Sequence, residues 1–231
     1  AIDKTKYQPI LIGITKEGTW LLNQETEYLL NGDNPETIAL NNSGQPVVLV
    51  ASSEKGAVIP IKSGNPVDSI DVMFPVLHGP YGEDGSIQGL AKLANTPCVG
   101  SGIIGSAVGM DKDISKRLLM LAGLKVADYE LIRHGELKED TLYDIENRLK
   151  YPVFVKPANM GSSIGVSKAR NRTELQSAIT EAAKFDTKLL VEETIIGREI
   201  ECAILGNDHP KASIPGEITS AHQFYDYHSK Y

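Results

Sequence analysis

The sequence predicts a layered α/β fold, and three observations carry that prediction. Residues 9–14 (P-I-L-I-G-I) and 70–77 (I-D-V-M-F-P-V-L) are short apolar runs bounded by turn formers, as expected of buried strands. Ile87, Leu90, Ala91 and Ala94 recur at helical spacing and trace one face between Ser86 and Asn95. A further apolar run, Pro152 to Lys156, is followed by a Gly- and Ser-rich turn and a helix-period segment, so that strands and helices alternate along the chain.

Taken in order, the first strand at 9–14 leads into a less regular stretch. Residues 31–34, 41–45 and 63–66 are rich in Asn, Gly, Ser and Pro and read as loops around a small β-segment at 46–61. The strand at 70–77 and the helix at 86–95 follow. A second helix is predicted over 112–122: Ile114, Leu118 and Leu121 form a stripe, Asp111 can accept the first backbone N–H groups, and Gly123 can end the helix in a left-handed conformation. Residues 126–132 are a strand candidate, and 152–156 and 166–168 read as a hairpin. Thr173 and Gln176 match a capping box before the stripe Leu175, Ala178, Ile179 and Ala182. Strands at 188–191 and 200–205 close the series.

With 231 residues and 41% hydrophobic side chains, the chain can bury a sizeable core. Its net charge of −7 gives no overall positive field to gather nucleic acid or an anionic membrane. Cys98 and Cys202 lie far apart among apolar or small neighbours, which fits buried thiols in a reducing compartment better than a disulfide framework. No run approaches the roughly 20 apolar residues of a membrane span, and no signal-peptide pattern opens the chain. These features predict a cytoplasmic protein.

Gly100-Ser-Gly-Ile-Ile-Gly105 is formally G-x-G-x-x-G, but the strand before it is very short and the next strand offers no acid at its end. We read it as a flexible crossing between domains. Lys156 and Pro157 followed by Gly161-Ser-Ser-Ile-Gly165 place a lysine beside a turn with open backbone N–H groups and hydroxyls, a cradle suited to phosphate oxygens. An ordinary Gly-rich hairpin would carry the same residues, and no P-loop pattern occurs. Lys188 to Glu199 (K-L-L-V-E-E-T-I-I-G-R-E) is an apolar strand that ends in acids, able to supply acceptors for an adenine amino group and ribose hydroxyls. His78 sits on a Gly-rich loop at a strand end, where it reads equally as a ligand or a turn histidine. Glu83 and Asp84 read as caps for the next helix more than as metal ligands.

In order, L-H-G-x-x-G-E-D-G-S-I-Q-G at 77–89, V-G-S-G at 99–102, M-D-K at 110–112, F-V-K-P at 154–157, G-S-S-I-G at 161–165, V-E-E at 191–193 and F-Y-D-Y-H-S-K-Y at 224–231 resemble the D-alanine:D-alanine ligases. The resemblance covers nearly the whole chain. It implies an ATP-grasp architecture in three parts: an N-terminal α/β domain over 1–103, a central ATP-grasp subdomain over 104–191, and the start of the C-terminal subdomain over 192–231. It also implies a chain cut short at both ends, without the first substrate loop or the family's magnesium ligands, and therefore inactive alone.

By resemblance, Lys112, Lys156, Ser162, Ser163, Glu192, Glu193, Ile195, Glu199 and Lys230 bind ATP. Ser162, Lys230 and Tyr231 take part in the chemistry, and His78 and Ser163 lie near D-alanine. The implied reaction joins two D-alanines at the expense of ATP, with Mg2+ or Mn2+, through a D-alanyl phosphate, for peptidoglycan precursors. A homodimer is implied too. Another ATP-grasp carboxylate–amine ligase, or a nucleotide-binding module without catalysis, remains as an alternative.

Overall fold

The computed structural model describes residues 2–24, 28–34, 37–51, 55–62, 68–133, 135 and 138–219. These fall into two compact units, Ala1–Pro75 with Ile87–Gly100, and Val76–Ser86 with Ser101–Tyr231.

The first unit holds β1 (Ile12–Ile14), β2 (Trp20–Leu22), β3 (Leu29–Leu30), β4 (Ala39–Leu40), β5 (Gln45–Val50), β6 (Ala57–Pro60), β7 (Asp68–Ser69) and most of α1 (Ser86–Leu93). Five strands form an antiparallel sheet in the order β1-β2-β5-β6-β7, and β3 and β4 pair separately. Leu21, Val47 and Val58 from the sheet are buried, as are Ile87, Ala91 and Ala94 in and just after α1. Leu90 is exposed, so the buried face is narrower than its periodicity predicts.

The expected strand at 70–77 is corrected. Only Met73 bridges, donating to Pro97 O and accepting from Val99 N, while Phe74 and Val76 stand exposed. An extended run with one bridging residue has no ladder to align it and no layer for its alternate side chains to enter.

The second unit contains α2 (Ile103–Met110), α3 (Lys112–Leu121), β8 (Tyr129–Arg133), α4 (Glu139–Leu149), β9 (Val153–Pro157), β10 (Ser167–Ala169), α5 (Arg172–Ala182) and β11 (Lys188–Glu193). The paired stretches β12 (Glu199–Glu201) with β15 (Gly216–Ile218) and β13 (Ile204–Leu205) with β14 (Lys211–Ala212) follow. The central sheet is antiparallel in the order β10-β9-β11-β8. Its residues alternate between faces. Ile132, Val153, Val155, Ala169, Leu189 and Val191 enter a dry core with Leu142, Ile145 and Leu149 of α4 and Leu175, Ala178, Ile179 and Ala182 of α5.

Several expectations change here. The glycine cluster taken as a flexible crossing leads into α2, with Gly102 extended at the N-cap position. Glycines lower helix propensity by about 1 kcal/mol each, but tertiary packing overrides this: the loop at Gly85 rests on Ile103 and Ala107, one turn apart.

In α3 the apolar stripe Ile114, Leu118 and Leu121 is exposed, and Asp113 is the buried residue. Charged partners on the sheet decide which side faces inward. Asp111 does cap α3, accepting from the N–H groups of Asp113 and Ile114. Gly123, at φ +80, ends it: its N–H donates to Met120 O and that of Leu124 to Leu119 O, the Schellman pattern.

For α5 the cap is Asn171, which accepts from Glu174 N, in place of Thr173 with Gln176. The strand at 200–205 divides where Ala203 N donates to Ser213 Oγ, a side chain taking the acceptor role of the ladder. Both cysteines are free, but Cys202 is exposed because this hairpin has no layer over it among the described residues. Among the described residues, no helix is long and apolar enough to cross a membrane.

Candidate functional site

Every described candidate residue lies in the second unit. On the sheet face opposite the dry core, the register sets Leu190 opposite Lys156, and Glu192 opposite both Phe154 and Tyr129. Lys156 and Glu192 are therefore diagonal neighbours on adjacent strands, close enough for long side chains to meet. They do meet, with Lys156 Nζ 2.5 Å from Glu192 Oε2.

Glu192 is buried, with 8% of its side chain exposed. Its other oxygen, Oε1, lies 3.2 Å from Lys116 Nζ. The charges are close, but the angles are not those of a hydrogen bond, and Oε1 accepts none among the described residues. A buried carboxylate oxygen in that condition is costly unless something completes it.

α3 supplies the other cations. Lys112 Nζ donates to Ala158 O at 3.3 Å and Met160 O at 2.5 Å, tying the helix to the start of the hairpin turn. Burial depresses its pKa, and the nearby Lys156 ammonium pushes it further down. One turn later Lys116 donates to Ala127 O at 3.2 Å and sits over the Tyr129 ring.

A second ionic cluster holds α3 in place. Lys188 Nζ lies 2.9 Å from Asp111 Oδ1 and 2.8 Å from Asp113 Oδ2, while Asp113 Oδ1 accepts from Arg117 Nε at 2.7 Å and Tyr129 Oη at 2.9 Å. Burial works against the Asp113 charge, yet hydrogen bonds from Lys188, Arg117 and Tyr129 outweigh it and bring its pKa down to about 2. For Lys188, burial likewise opposes the charge, and its bonds to Asp113 and Asp111 raise its pKa.

The hairpin turn is unusual in its backbone. Ser162 and Ser163 both have positive φ, 52° and 58°, a conformation few non-glycine residues adopt and one that concentrates where structure is held for a purpose. Gly165 has φ +69, and a Cβ there would come within 2.9 Å of both Phe185 and Pro157, so glycine is required twice over. Asp186 anchors the near end of the turn by accepting from the backbone and side-chain amides of Asn159.

His78 is exposed on the 76–86 loop. Glu83 accepts from Gly79 N, and Asp84 accepts from Tyr81 N and Ser86 N, so both acids serve the loop and the helix start. Glu83 also approaches the hairpin, 3.9 Å from where a side chain on Gly161 would begin.

The structure thus brings Lys156 and Glu192 together and ties Lys112 to the start of the turn that carries Ser162 and Ser163. Glu193 turns elsewhere, accepting from Asp128 N and pinning the start of β8. Ile195 and Glu199 are exposed beyond β11. Lys230 and Tyr231 lie outside the described residues. Sequence reasoning missed Lys116 and the Asp113–Lys188 cluster. For Lys116 a signal existed, since a residue four positions after Lys112 shares its helix face.

Two family models match in tandem: "D-ala D-ala ligase N-terminus" over residues 1–101 and "D-ala D-ala ligase C-terminus" over 118–231. The chain belongs to the D-alanine–D-alanine ligase family. It is 49% identical over 232 residues to a D-alanine–D-alanine ligase of Oceanobacillus iheyensis and 48% identical to D-alanine–D-alanine ligase A of Chromobacterium violaceum, spanning all of this chain and 63% of each relative. Among solved structures, the D-alanine-D-alanine ligase of Coxiella burnetii matches with TM-score 0.80 at 34% identity, covering 94% of this chain and 63% of that one. VanG D-Ala:D-Ser ligase of Enterococcus faecalis matches with TM-score 0.82 at 37% identity, covering 98% and 64%. The fold is the mixed α/β, ATP-grasp type expected from the resemblance.

Proposed function

We propose that this chain forms the nucleotide wall and part of the substrate loop of an ATP-dependent ligase that joins two D-alanines into D-alanyl-D-alanine for peptidoglycan precursors. One observation carries the reading: a buried carboxylate, Glu192, keeps an oxygen without a hydrogen bond on the same sheet face as Lys156. An adenine amino group is the donor such an oxygen lacks. Burial and then the nearby Lys156 ammonium lower the pKa of Lys112, and a polyanion would relieve that repulsion.

Joining an amine to a carboxylate at neutral pH requires a better leaving group than hydroxide, and ATP supplies one by phosphorylating the first D-alanine. Protein groups then mainly position and neutralise charge. On this reading Lys112 and Lys156 face phosphate oxygens, Ser162 and Ser163 cover the transferring group, Glu192 and the backbone at Ile195 take the base, and Glu199 the ribose. Glu193 shapes the wall through β8. The second amine attacks the acyl phosphate and phosphate departs. By resemblance, His78 serves the first D-alanine, and Lys230 and Tyr231 serve the substrates. The division at 103 and 191 into an N-terminal domain, a central subdomain and the start of a C-terminal one belongs to the same proposal, as do a homodimer and a cytoplasmic setting.

The resemblance also implies a divalent ion. Among the described residues no group of three or more His, Cys, Asp or Glu side chains converges, and Asp111 and Asp113 are held by Lys188.

The test is phosphate release by the complete reading frame with ATP, magnesium and D-alanine. Release that requires D-alanine supports the ligase; ATP binding without release favours a nucleotide-binding module. The acceptor is read by offering D-alanine, D-lactate and D-serine together at pH 7, the last because a solved relative is a D-Ala:D-Ser ligase. We expect D-alanyl-D-alanine, since a neutral Tyr231 hydroxyl leaves room for an amine.

A further inference from the structure

The proposed nucleotide site contains a conflict that its two named lysines do not resolve. Lys156 cannot serve phosphate oxygens fully while its ammonium stays 2.5 Å from Glu192 Oε2. Among the described residues, Glu192 is the side chain that this ammonium contacts. If phosphates draw Lys156 away, Glu192 is left as a buried charge with one fewer partner. A buried carboxylate so placed turns toward whatever donor remains and stops being a good acceptor for a ligand.

Lys116 answers this differently from Lys156. Its ammonium is fixed by contacts that have nothing to do with phosphate: a hydrogen bond to Ala127 O at 3.2 Å and the face of the Tyr129 ring at 5.3 Å. It is 15% exposed and belongs to the same helix face as Lys112. From there it stays 3.2 Å from Glu192 Oε1 without occupying that oxygen with a hydrogen bond. It can neutralise the carboxylate while leaving a lone pair open.

Resting on the nucleotide-site reading above, we propose that Lys116 is a positioning residue: the standing counter-charge that holds Glu192 correctly turned when a nucleotide engages Lys156. Base selection then depends on a lysine that touches neither base nor phosphate. The ligand class it serves is a purine nucleotide with an exocyclic amino group at position 6, and the class it disfavours has an oxygen there.

The experiment is calorimetric titration of the complete reading frame with ATP and with inosine triphosphate, for wild type, Lys116→Gln, Lys116→Arg and Glu192→Gln. Lys116→Gln should weaken ATP binding about tenfold, the scale of a hydrogen bond to a charged group, while inosine triphosphate binding stays within about twofold. Lys116→Arg should restore most of the preference because it returns the charge. An equal loss for both nucleotides would make Lys116 merely structural and overturn the proposal. So would an unchanged preference in Lys116→Gln when Glu192→Gln abolishes it. If wild type does not prefer ATP, or Glu192→Gln leaves the preference intact, the nucleotide-site reading itself fails and takes this proposal with it.

Discussion

The two faces of the β10-β9-β11-β8 sheet are built from alternate residues of the same strands, yet they are held by different physics. On one face Val153, Val155, Leu189 and Val191 meet α4 and α5 in a core where almost nothing is polar. On the other, Lys156, Lys188 and Glu192 meet the charged side of α3, and one acceptor is left incomplete. Apolar burial is non-directional and tolerates substitutions of similar volume; the ionic face is directional and fails if one partner is lost. A strand can therefore carry stability and chemistry at neighbouring positions, provided its register is fixed.

The largest expected effect tests the dry face. Leu175 is fully buried under the sheet, and Leu175→Ala should destabilise the second unit by about 4 kcal/mol through lost burial and an unfilled cavity. Urea unfolding measures it. Nucleotide affinity of the molecules still folded should be unchanged; a parallel loss of affinity would mean the faces are not independent.

Next is Lys156→Ala on the ionic face. Losing a phosphate-facing charge should lower kcat/KM for ATP by about 3 kcal/mol in the complete reading frame. The substitution also removes the hydrogen-bonded partner of buried Glu192, to which Lys116 lies close without a hydrogen bond, so stability should fall as well, by about 2 kcal/mol. Unchanged turnover would remove Lys156 from the site.

A smaller effect separates structure from chemistry within the ionic face. Asp113 has a folded pKa of about 2 against an ordinary 3.8. A depressed carboxyl pKa contributes stability above the unfolded value, and that contribution is lost as pH falls through the folded one, here between about pH 4 and pH 2. The shift corresponds to about 2 kcal/mol at neutral pH. Asp113→Asn should remove that amount at pH 7 and flatten the stability profile over the same window. An unaltered profile would show that the Lys188 and Tyr129 contacts do not hold the charge.

Much of the fold was legible in the sequence, because period and turn chemistry are local. The hairpin around Gly161 to Gly165, the α5 stripe and the Asp111 and Gly123 ends of α3 all follow from residues within a few positions of one another. α4 was legible too, through Leu142, Ile145 and Leu149 at helical spacing, but no motif drew attention to it. What stayed hidden was long-range. Lys188 and Asp113 are far apart in sequence, and the packing of α3 against β11 brings them together. For the same reason the α3 stripe misled: hydrophobic spacing cannot announce that a helix turns its charges inward.

The last and smallest prediction returns to the dry face, where the sequence pointed to the wrong cap. Thr173 and Gln176 fit a capping box, but the cap lies two residues earlier, at an extended Asn171, and α5 starts at Arg172. Asn171 Oδ1 accepts from Glu174 N at 2.9 Å, and its amide donates back to Glu174 Oε1 at 3.1 Å. Glu174 further accepts from Arg170 N, so three residues close the helix entrance reciprocally. Removing such a cap typically costs about 1 kcal/mol, whereas a threonine within the first turn has no orphan N–H to satisfy. Asn171→Ala should thus lower the urea midpoint measurably, with Thr173→Ala within about 0.5 kcal/mol of wild type. Because α5 packs only beneath the apolar side of the sheet, neither substitution should alter the preference for ATP over inosine triphosphate. The reverse order of stabilities would move the helix start back to Thr173, and a changed nucleotide preference would show that the two faces communicate through the strands they share.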